Sequence, residues 1–63
     1  MDKEMLINAI IGKGFKSIQY AIDMTDSGLA EYCGDQWNVD WSWNRAKLEN
    51  LSIEKLTEIY NAG

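Results

Sequence analysis

The sequence predicts an all-α protein, a small bundle of three to four helices in a single domain spanning residues 1–63. Three observations predict this fold class. Apolar residues recur every three to four positions along much of the chain, glycines separate these stretches, and residues suited to N-caps precede several of them. The predicted helices cover about residues 3–12, 15–33, 38–49 and 52–61.

The first helix is predicted from a broad apolar stripe that includes Leu6 and Ile10. Asp2 and Glu4 lie at its start, where the positive end of the helix dipole favours carboxylates. Two glycines within residues 12–14 follow the stripe, and glycine readily takes the left-handed conformation that closes a helix. We therefore expect a helix followed by a turn.

The second helix is predicted over residues 15–33 from one apolar stripe at helical spacing. Its members are Phe15, Ile18, Ile22, Thr25, Leu29 and Cys33. The stretch Asp26–Gly28 is poor in helix formers, and Asp26 or Ser27 would also suit the N-cap of a separate short helix. We favour one long helix, straight or kinked, because a stripe that keeps its phase across a break would be a coincidence.

Residues 37–43 fit two interpretations, because apolar and polar side chains alternate along them as in a half-buried strand. The apolar members are Trp37, Val39, Trp41 and Trp43. A lone strand is unstable, and no second strand is evident unless two copies of the chain pair with each other. We favour a helix over residues 38–49, with Asn38 or Asp40 as its N-cap.

The last helix carries the clearest local signals. Ser52 suits an N-cap, Glu54 falls in the first turn, and Leu51 and Leu56 have the spacing of a hydrophobic staple. Together with the preceding helix it forms a predicted αα-hairpin, joined at a corner formed by Asn50 and Leu51. The apolar stripe of this helix consists of Ile53, Leu56, Ile59 and Tyr60.

A homodimer is predicted from what the chain lacks. Cys33 is the only cysteine and there is no histidine, so neither an intrachain disulfide nor a histidine-ligated metal supports so small a fold. Cys33 lies on the projected apolar stripe and is expected to be a small buried side chain. Association of two copies around one shared core is the remaining support.

The predicted interface is aromatic, because three tryptophans within seven residues are more than a small fold easily buries. The candidate interface residues are Trp37, Trp41, Trp43, Tyr20, Tyr32 and Tyr60. The alternative is that the tryptophans fill the core of a single subunit.

Charge and residue types narrow the function. The net charge is −4, and no cation lies between Lys16 and Arg45, which disfavours nucleic-acid binding. DNA reading through the αα-hairpin and mimicry of nucleic-acid charge stay as alternatives. Without histidine, a phosphate loop or a metal-ligand pattern, the sequence predicts no enzyme, no cofactor and no metal site.

The cellular setting is predicted from the absence of an apolar run long enough to cross a bilayer and from an N-terminus that begins Met-Asp-Lys-Glu. A single cysteine without a pair is typical of a reducing compartment. We therefore expect a cytoplasmic protein without membrane contact.

The segment from Trp37 to Arg45, followed by that from Leu51 to Leu56, resembles the very small early proteins of lambdoid bacteriophages encoded between the exonuclease and excisionase genes. Length and acidic helical character agree with the resemblance, which covers the whole chain. It implies a helical homodimer without catalytic residues that favours lytic development by acting on a host or phage protein in the host cytoplasm.

Overall fold

The computed structural model describes residues 2–62, so positions 1 and 63 of the predicted domain lie outside the described part. Along the chain these residues form α1 (Lys3–Lys13), α2 (Ile18–Asp26), β1 (Ala30–Tyr32), β2 (Trp41–Trp43), α3 (Arg45–Glu49) and α4 (Ile53–Ala62). The strands β1 and β2 pair antiparallel. The protein therefore combines helices with a two-stranded sheet, and the all-α prediction is wrong.

The first and last predicted helices are confirmed to within one residue at each end. The Asp2 carboxylate caps α1 by accepting the N–H of Met5 at 2.8 Å. The Ser52 hydroxyl caps α4 by accepting the N–H of Lys55 at 3.2 Å. Both helices begin where a capping side chain satisfies one of the otherwise free amide groups of the first turn.

Helices α1 and α4 lie side by side and run in the same direction. Near their starts, Lys3 Nζ donates to the backbone oxygen of Glu49 at 2.6 Å. Near their ends, Lys13 Nζ donates to the backbone oxygen of Tyr60 at 2.7 Å. The predicted corner at Asn50 and Leu51 separates α3 from α4 and is confirmed, but the αα-hairpin is not, because its first helix is reduced to Arg45–Glu49.

The hydrophobic core lies between α1, α3 and α4. Its buried side chains are Leu6, Ile7, Ile10, Leu48, Leu56 and Ile59. Leu48 and Leu56 are fully buried, and Trp43 packs against the cluster from the sheet. Three helices thus form the body of the protein, and α2 and the sheet are attached to it.

The predicted long helix over residues 15–33 is wrong, because α2 ends at Asp26. Gly28 has a φ of +85°, its N–H donates to the oxygen of Thr25 at 3.0 Å, and the N–H of Leu29 donates to the oxygen of Met24 at 2.9 Å. This pair of bonds is the Schellman motif that closes a helix at a left-handed glycine. The helical phase that continues to Cys33 is therefore a coincidence.

The predicted helix over residues 38–49 is wrong in its first half, because β2 occupies residues 41–43 and only α3 is helical. The period-two pattern of the tryptophans indicated the strand correctly. Its partner is β1, which lies within residues 15–33, where the sequence predicts the second helix. Asn44, instead of Asn38 or Asp40, caps α3 by accepting the N–H of Lys47 at 3.2 Å.

Candidate protein-binding surface

The pairing of β1 with β2 continues beyond the two strands, and we call residues 29–44 the hairpin. Tyr32 lies opposite Trp41. Beyond them, the N–H of Cys33 donates to the oxygen of Asp40 at 3.0 Å, and the N–H of Asp35 donates to the oxygen of Asn38 at 2.8 Å. The register therefore stays constant to the tip, roughly 20 Å from the base at about 3.3 Å per residue.

A turn at Asp35–Asn38 reverses the chain at the tip. One Asp35 carboxylate oxygen accepts the N–H groups of both Trp37 and Asn38, each at 2.8 Å. An aspartate at the first position of a turn favours this local arrangement. Gly34 allows the Tyr32 side chain and the opposite strand to approach its Cα closely. A Cβ at this position would clash with both, since it would lie 2.6 Å from Tyr32 Oη and 2.7 Å from the Asp40 nitrogen.

The two faces of the hairpin differ in chemistry, because side chains alternate along each strand and opposite residues share a face. The aromatic face consists of Ala30, Tyr32, Gly34, Val39, Trp41 and Trp43, and the acidic face of Glu31, Cys33, Asp35, Asn38, Asp40 and Ser42. Cys33 is exposed, so the prediction that it is buried is wrong.

Two of the six candidate interface residues, Trp43 and Tyr20, form with Phe15 a cluster of partly buried aromatic rings at the base of the hairpin, which we call the internal cluster. The rings of Phe15 and Trp43 stack with centroids 4.4 Å apart, and Tyr20 meets Trp43 edge-on at 6.3 Å. Trp43 Nε1 donates to the oxygen of Gly14 at 3.3 Å. Burial raises the pKa of Tyr20 above its ordinary value. The stacked rings thus hold the base of the hairpin to α2 and the segment before it, and the hydrogen bond to Gly14 holds it to the end of α1.

Three other candidates lie on the outer part of the hairpin. Trp41 is half-buried, and its ring meets that of Tyr32 edge-on with centroids 5.1 Å apart. Tyr32 is 51% exposed, and Trp37 at the tip is 82% exposed. Val39, which was not among the candidates, is 62% exposed on the aromatic face. The alternation of apolar and polar residues over 37–43 places Val39 on the same face as Trp41 and Trp43. The helix interpretation does not use this alternation and therefore misses Val39.

The sixth candidate, Tyr60, lies at the end of α4. Lys13 Nζ lies 4.5 Å from the centre of its ring and also donates to its backbone oxygen. Tyr60 is partly buried and packs against the helical core. The six candidates thus fall into an internal cluster, an exposed hairpin group and one side chain on the helical core.

A groove of about 270 Å³ separates the hairpin from the start of α2. Its lining includes Phe15, Ile18, Ala21, Val39, Asp40 and Trp41. Ile18, on the rim, is 61% exposed, and Ile22 one turn further along α2 is also exposed. Apolar side chains of α2 therefore extend the exposed surface of the hairpin into one patch.

The segment of the chain that carries this patch is acidic. Residues 17–44 contain five of the ten acidic residues and none of the six basic ones, so this segment carries a charge of −5 and the rest of the chain +1. The nearest preceding cation, Lys16, has its Nζ 5.1 Å from the centre of the Tyr20 ring. The segment that carries the apolar patch is therefore acidic overall, although three of its five carboxylates, Glu31, Asp35 and Asp40, belong to the acidic face of the hairpin, opposite the aromatic face.

Within residues 2–62, no three His, Cys, Asp or Glu side chains are close enough together to hold a metal ion. None of the helices in that range has the length and apolar character that crossing a membrane requires. Comparison of the chain with protein-family models, with curated proteins and with solved structures gives no match.

Proposed function

We propose that this protein is a small non-catalytic interaction protein that binds another protein through the outer part of the hairpin and the adjoining side of α2. One observation carries the proposal: Trp37, Val39 and Tyr32 are more than half exposed on a hairpin that extends from the helical body. Exposed apolar patches of this kind mark interaction sites, and aromatic side chains dominate binding energies.

Trp37 can supply a large part of the free energy of binding at this surface. Burial of one tryptophan removes about 150 to 250 Å² from water, worth about 4 to 6 kcal/mol at 25 cal/mol per Å² before the costs of association. Trp37 leaves most of its area accessible in the free protein. Net affinity also requires contacts from its neighbours, because association itself costs at least about 4 kcal/mol.

A non-catalytic role is supported by the kind of surface that the hairpin presents. The patch is apolar and open, and the sequence contains no histidine to serve as a general acid or base near neutral pH. Nucleic-acid binding has less support, because the charge of −5 over residues 17–44 repels phosphates. Mimicry of nucleic-acid charge remains the alternative proposal.

The homodimer remains a prediction. The argument that three tryptophans need a second copy to cover them is weaker in the light of the structure. Trp43 and Trp41 have aromatic partners within the same chain, so Trp37 is the tryptophan whose ring is left most exposed to solvent. A single copy exposes 4244 Å², close to the about 4,100 Å² expected of a monomer of this size. The resemblance to early phage proteins likewise stays a prediction.

The test uses two double variants that each remove two exposed apolar side chains, at different places. Trp37→Ser with Val39→Ser alters the hairpin, whereas Met5→Ser with Ile53→Ser alters two helical side chains that are also more than half exposed. Substitutions at such exposed positions change the free energy of unfolding by about 0.5 kcal/mol or less each. Each protein is immobilised, captures partners from a bacterial lysate, and is then titrated with the purified captured protein.

We expect the wild type and the Met5/Ile53 variant to bind the same protein, and the Trp37/Val39 variant to lose it. Equal binding by both variants would contradict the proposal. Sedimentation of the free proteins gives the oligomeric state. A dimer that dissociates only in the Trp37/Val39 variant would mean that a second copy, and not a different protein, covers the hairpin.

A further inference from the structure

The groove between α2 and the hairpin is small and shallow enough to suit side chains of a partner protein. Its volume is about 270 Å³, at the lower end of the range of about 300 to 1,000 Å³ typical of small-molecule pockets. The groove is open, because Ile18 and Val39 on its rim are each more than half exposed. An open apolar groove of this kind suits one or two apolar anchors of another chain.

Building on the proposed function, we infer that the occupant of this groove is a cationic amphipathic segment of a partner protein, in which apolar anchors are flanked by lysine or arginine. The apolar lining would receive the anchors. The charge of −5 carried by residues 17–44 would attract the flanking cations, because complementary charge favours encounter and selects between partners.

Two acidic residues lie beside the path of such a segment. Asp40 is one of the residues that line the groove, and its side chain belongs to the acidic face of the hairpin. Asp26 follows Ile18 and Ile22 at four-residue intervals, so all three occupy the same side of α2. The exposed apolar line of α2 therefore ends at a carboxylate that a segment lying along it would meet, whereas the carboxylates on the acidic face of the hairpin would attract its cations at longer range.

The same charges disfavour a second copy as the occupant. A symmetric dimer formed through this patch would bring two segments of charge −5 together, and like charges across an interface oppose association. The remaining surface of the molecule carries only +1, which gives little compensating attraction. A basic segment of another protein satisfies both the apolar and the electrostatic character of the patch.

The probes are three synthetic helical peptides that share one pattern of leucine anchors and differ only in their charged positions, which are lysine, glutamine or glutamate. Binding is followed by the indole N–H signals of ¹⁵N-labelled protein. We expect the lysine peptide to shift the signals of Trp37 and Trp41 more than that of the internal Trp43. The glutamine peptide binds more weakly, and the glutamate peptide does not bind.

Salt gives a second readout. Raising the ionic strength from about 0.01 M to 0.15 M shortens the screening length from about 30 Å to 8 Å, so the lysine peptide is expected to lose affinity while the glutamine peptide changes little. Equal affinities of these two peptides, binding that does not respond to salt, or no binding by any peptide would overturn the inference.

Two protein variants with the same net charge show which carboxylates attract the lysine peptide. Asp26→Asn with Asp40→Asn removes two charges at the patch, and the asparagine at position 40 keeps an oxygen that can accept the N–H of Trp41, as Asp40 does at 2.9 Å. Glu4→Gln with Glu49→Gln removes two charges beside α1 and α3. We expect only the first variant to bind the lysine peptide more weakly, by about two- to thirtyfold, the range for two exposed ion pairs.

An equal loss of affinity in both variants would show that net charge alone attracts the peptide and would overturn the inference. The proposed function fails separately, since its own test depends on Trp37 and Val39. A captured protein that needs Trp37 and Val39 but binds independently of salt would leave the proposed function in place and refute the cationic occupant.

Discussion

Substitution of Gly28 by alanine tests the end of α2, and with it the hairpin that follows. Gly28 has a φ of +85°, and a Cβ at this position would have no neighbour within 4 Å. The cost is therefore conformational: about 1 to 2 kcal/mol for a left-handed residue with a Cβ, offset by about 0.4 to 1 kcal/mol from the stiffer unfolded chain. We expect a net destabilisation of about 1 kcal/mol.

Gly12 is the matched control, because it lies inside α1 and its Cβ would also have open space. Gly12→Ala removes a poor helix former from a helix and is expected to stabilise the protein by about 0.5 to 1 kcal/mol. Urea unfolding followed by circular dichroism measures both variants, with the slope of the unfolding free energy against urea unchanged.

The sign of the Gly28 effect decides between the two structures. In an unbroken helix over residues 15–33, Gly28→Ala would stabilise the protein by about 1 kcal/mol, as Gly12→Ala does. Such a result would refute the Schellman ending and the hairpin. For a domain this small, 1 kcal/mol corresponds to about 4 to 8 °C in melting temperature, so the two outcomes are easily separated.

Three further predictions concern the hairpin and its base. Trp43→Ala removes an aromatic ring stacked on Phe15 and should lower the free energy of unfolding by about 3 kcal/mol. Trp37→Ala at the exposed tip should change it by less than about 0.5 kcal/mol. Urea unfolding of the two variants and the wild type measures both changes. Because burial raises the pKa of Tyr20 in the folded state, its contribution to stability is complete below about pH 10 and lost as the pH rises through the folded value. Tyr20→Phe should therefore show a shallower loss of stability in urea titrations above that pH. Asp35→Ala removes two hydrogen bonds to turn amides and should cost about 1 kcal/mol, while Asp35→Asn should retain most of that stability.

The parts of the fold that the sequence predicts are those that short-range chemistry determines. The starts of α1 and α4 depend on Asp2 and Ser52, whose hydrogen bonds reach only three residues along the chain. Each helix also carries its own apolar stripe. Neither prediction requires knowledge of a distant partner, and both are confirmed.

The hairpin could not be predicted in the same way, because its stability depends on pairing between residues far apart in sequence. Ala30 and Glu31 are residue types depleted in strands, and they acquire strand conformation through pairing with Trp43 and Ser42. The period-two signal in residues 37–43 was present, but without a recognised partner it pointed to an unstable lone strand. The glycine at position 28 was a signal that the second helix ends there, which leaves the residues after it available for pairing with β2.

The candidate surface was predicted in part. Trp37, Trp41 and Tyr32 were identified from their residue type and their clustering, and the structure places them on the outer hairpin. Residue type alone could not separate them from Trp43 and Tyr20, which lie in the internal cluster. That difference depends on the position of α2 over the base of the hairpin, which a sequence pattern does not specify.

The most direct test of the account is the solvent accessibility of the three indole N–H groups in the free protein, measured by NMR with a soluble paramagnetic agent. We expect strong broadening for Trp37, intermediate broadening for Trp41 and the least for Trp43, whose Nε1 donates to Gly14. Equal protection of all three indoles would contradict the account, because the aromatic surface would then already be covered and could not serve as an open binding site.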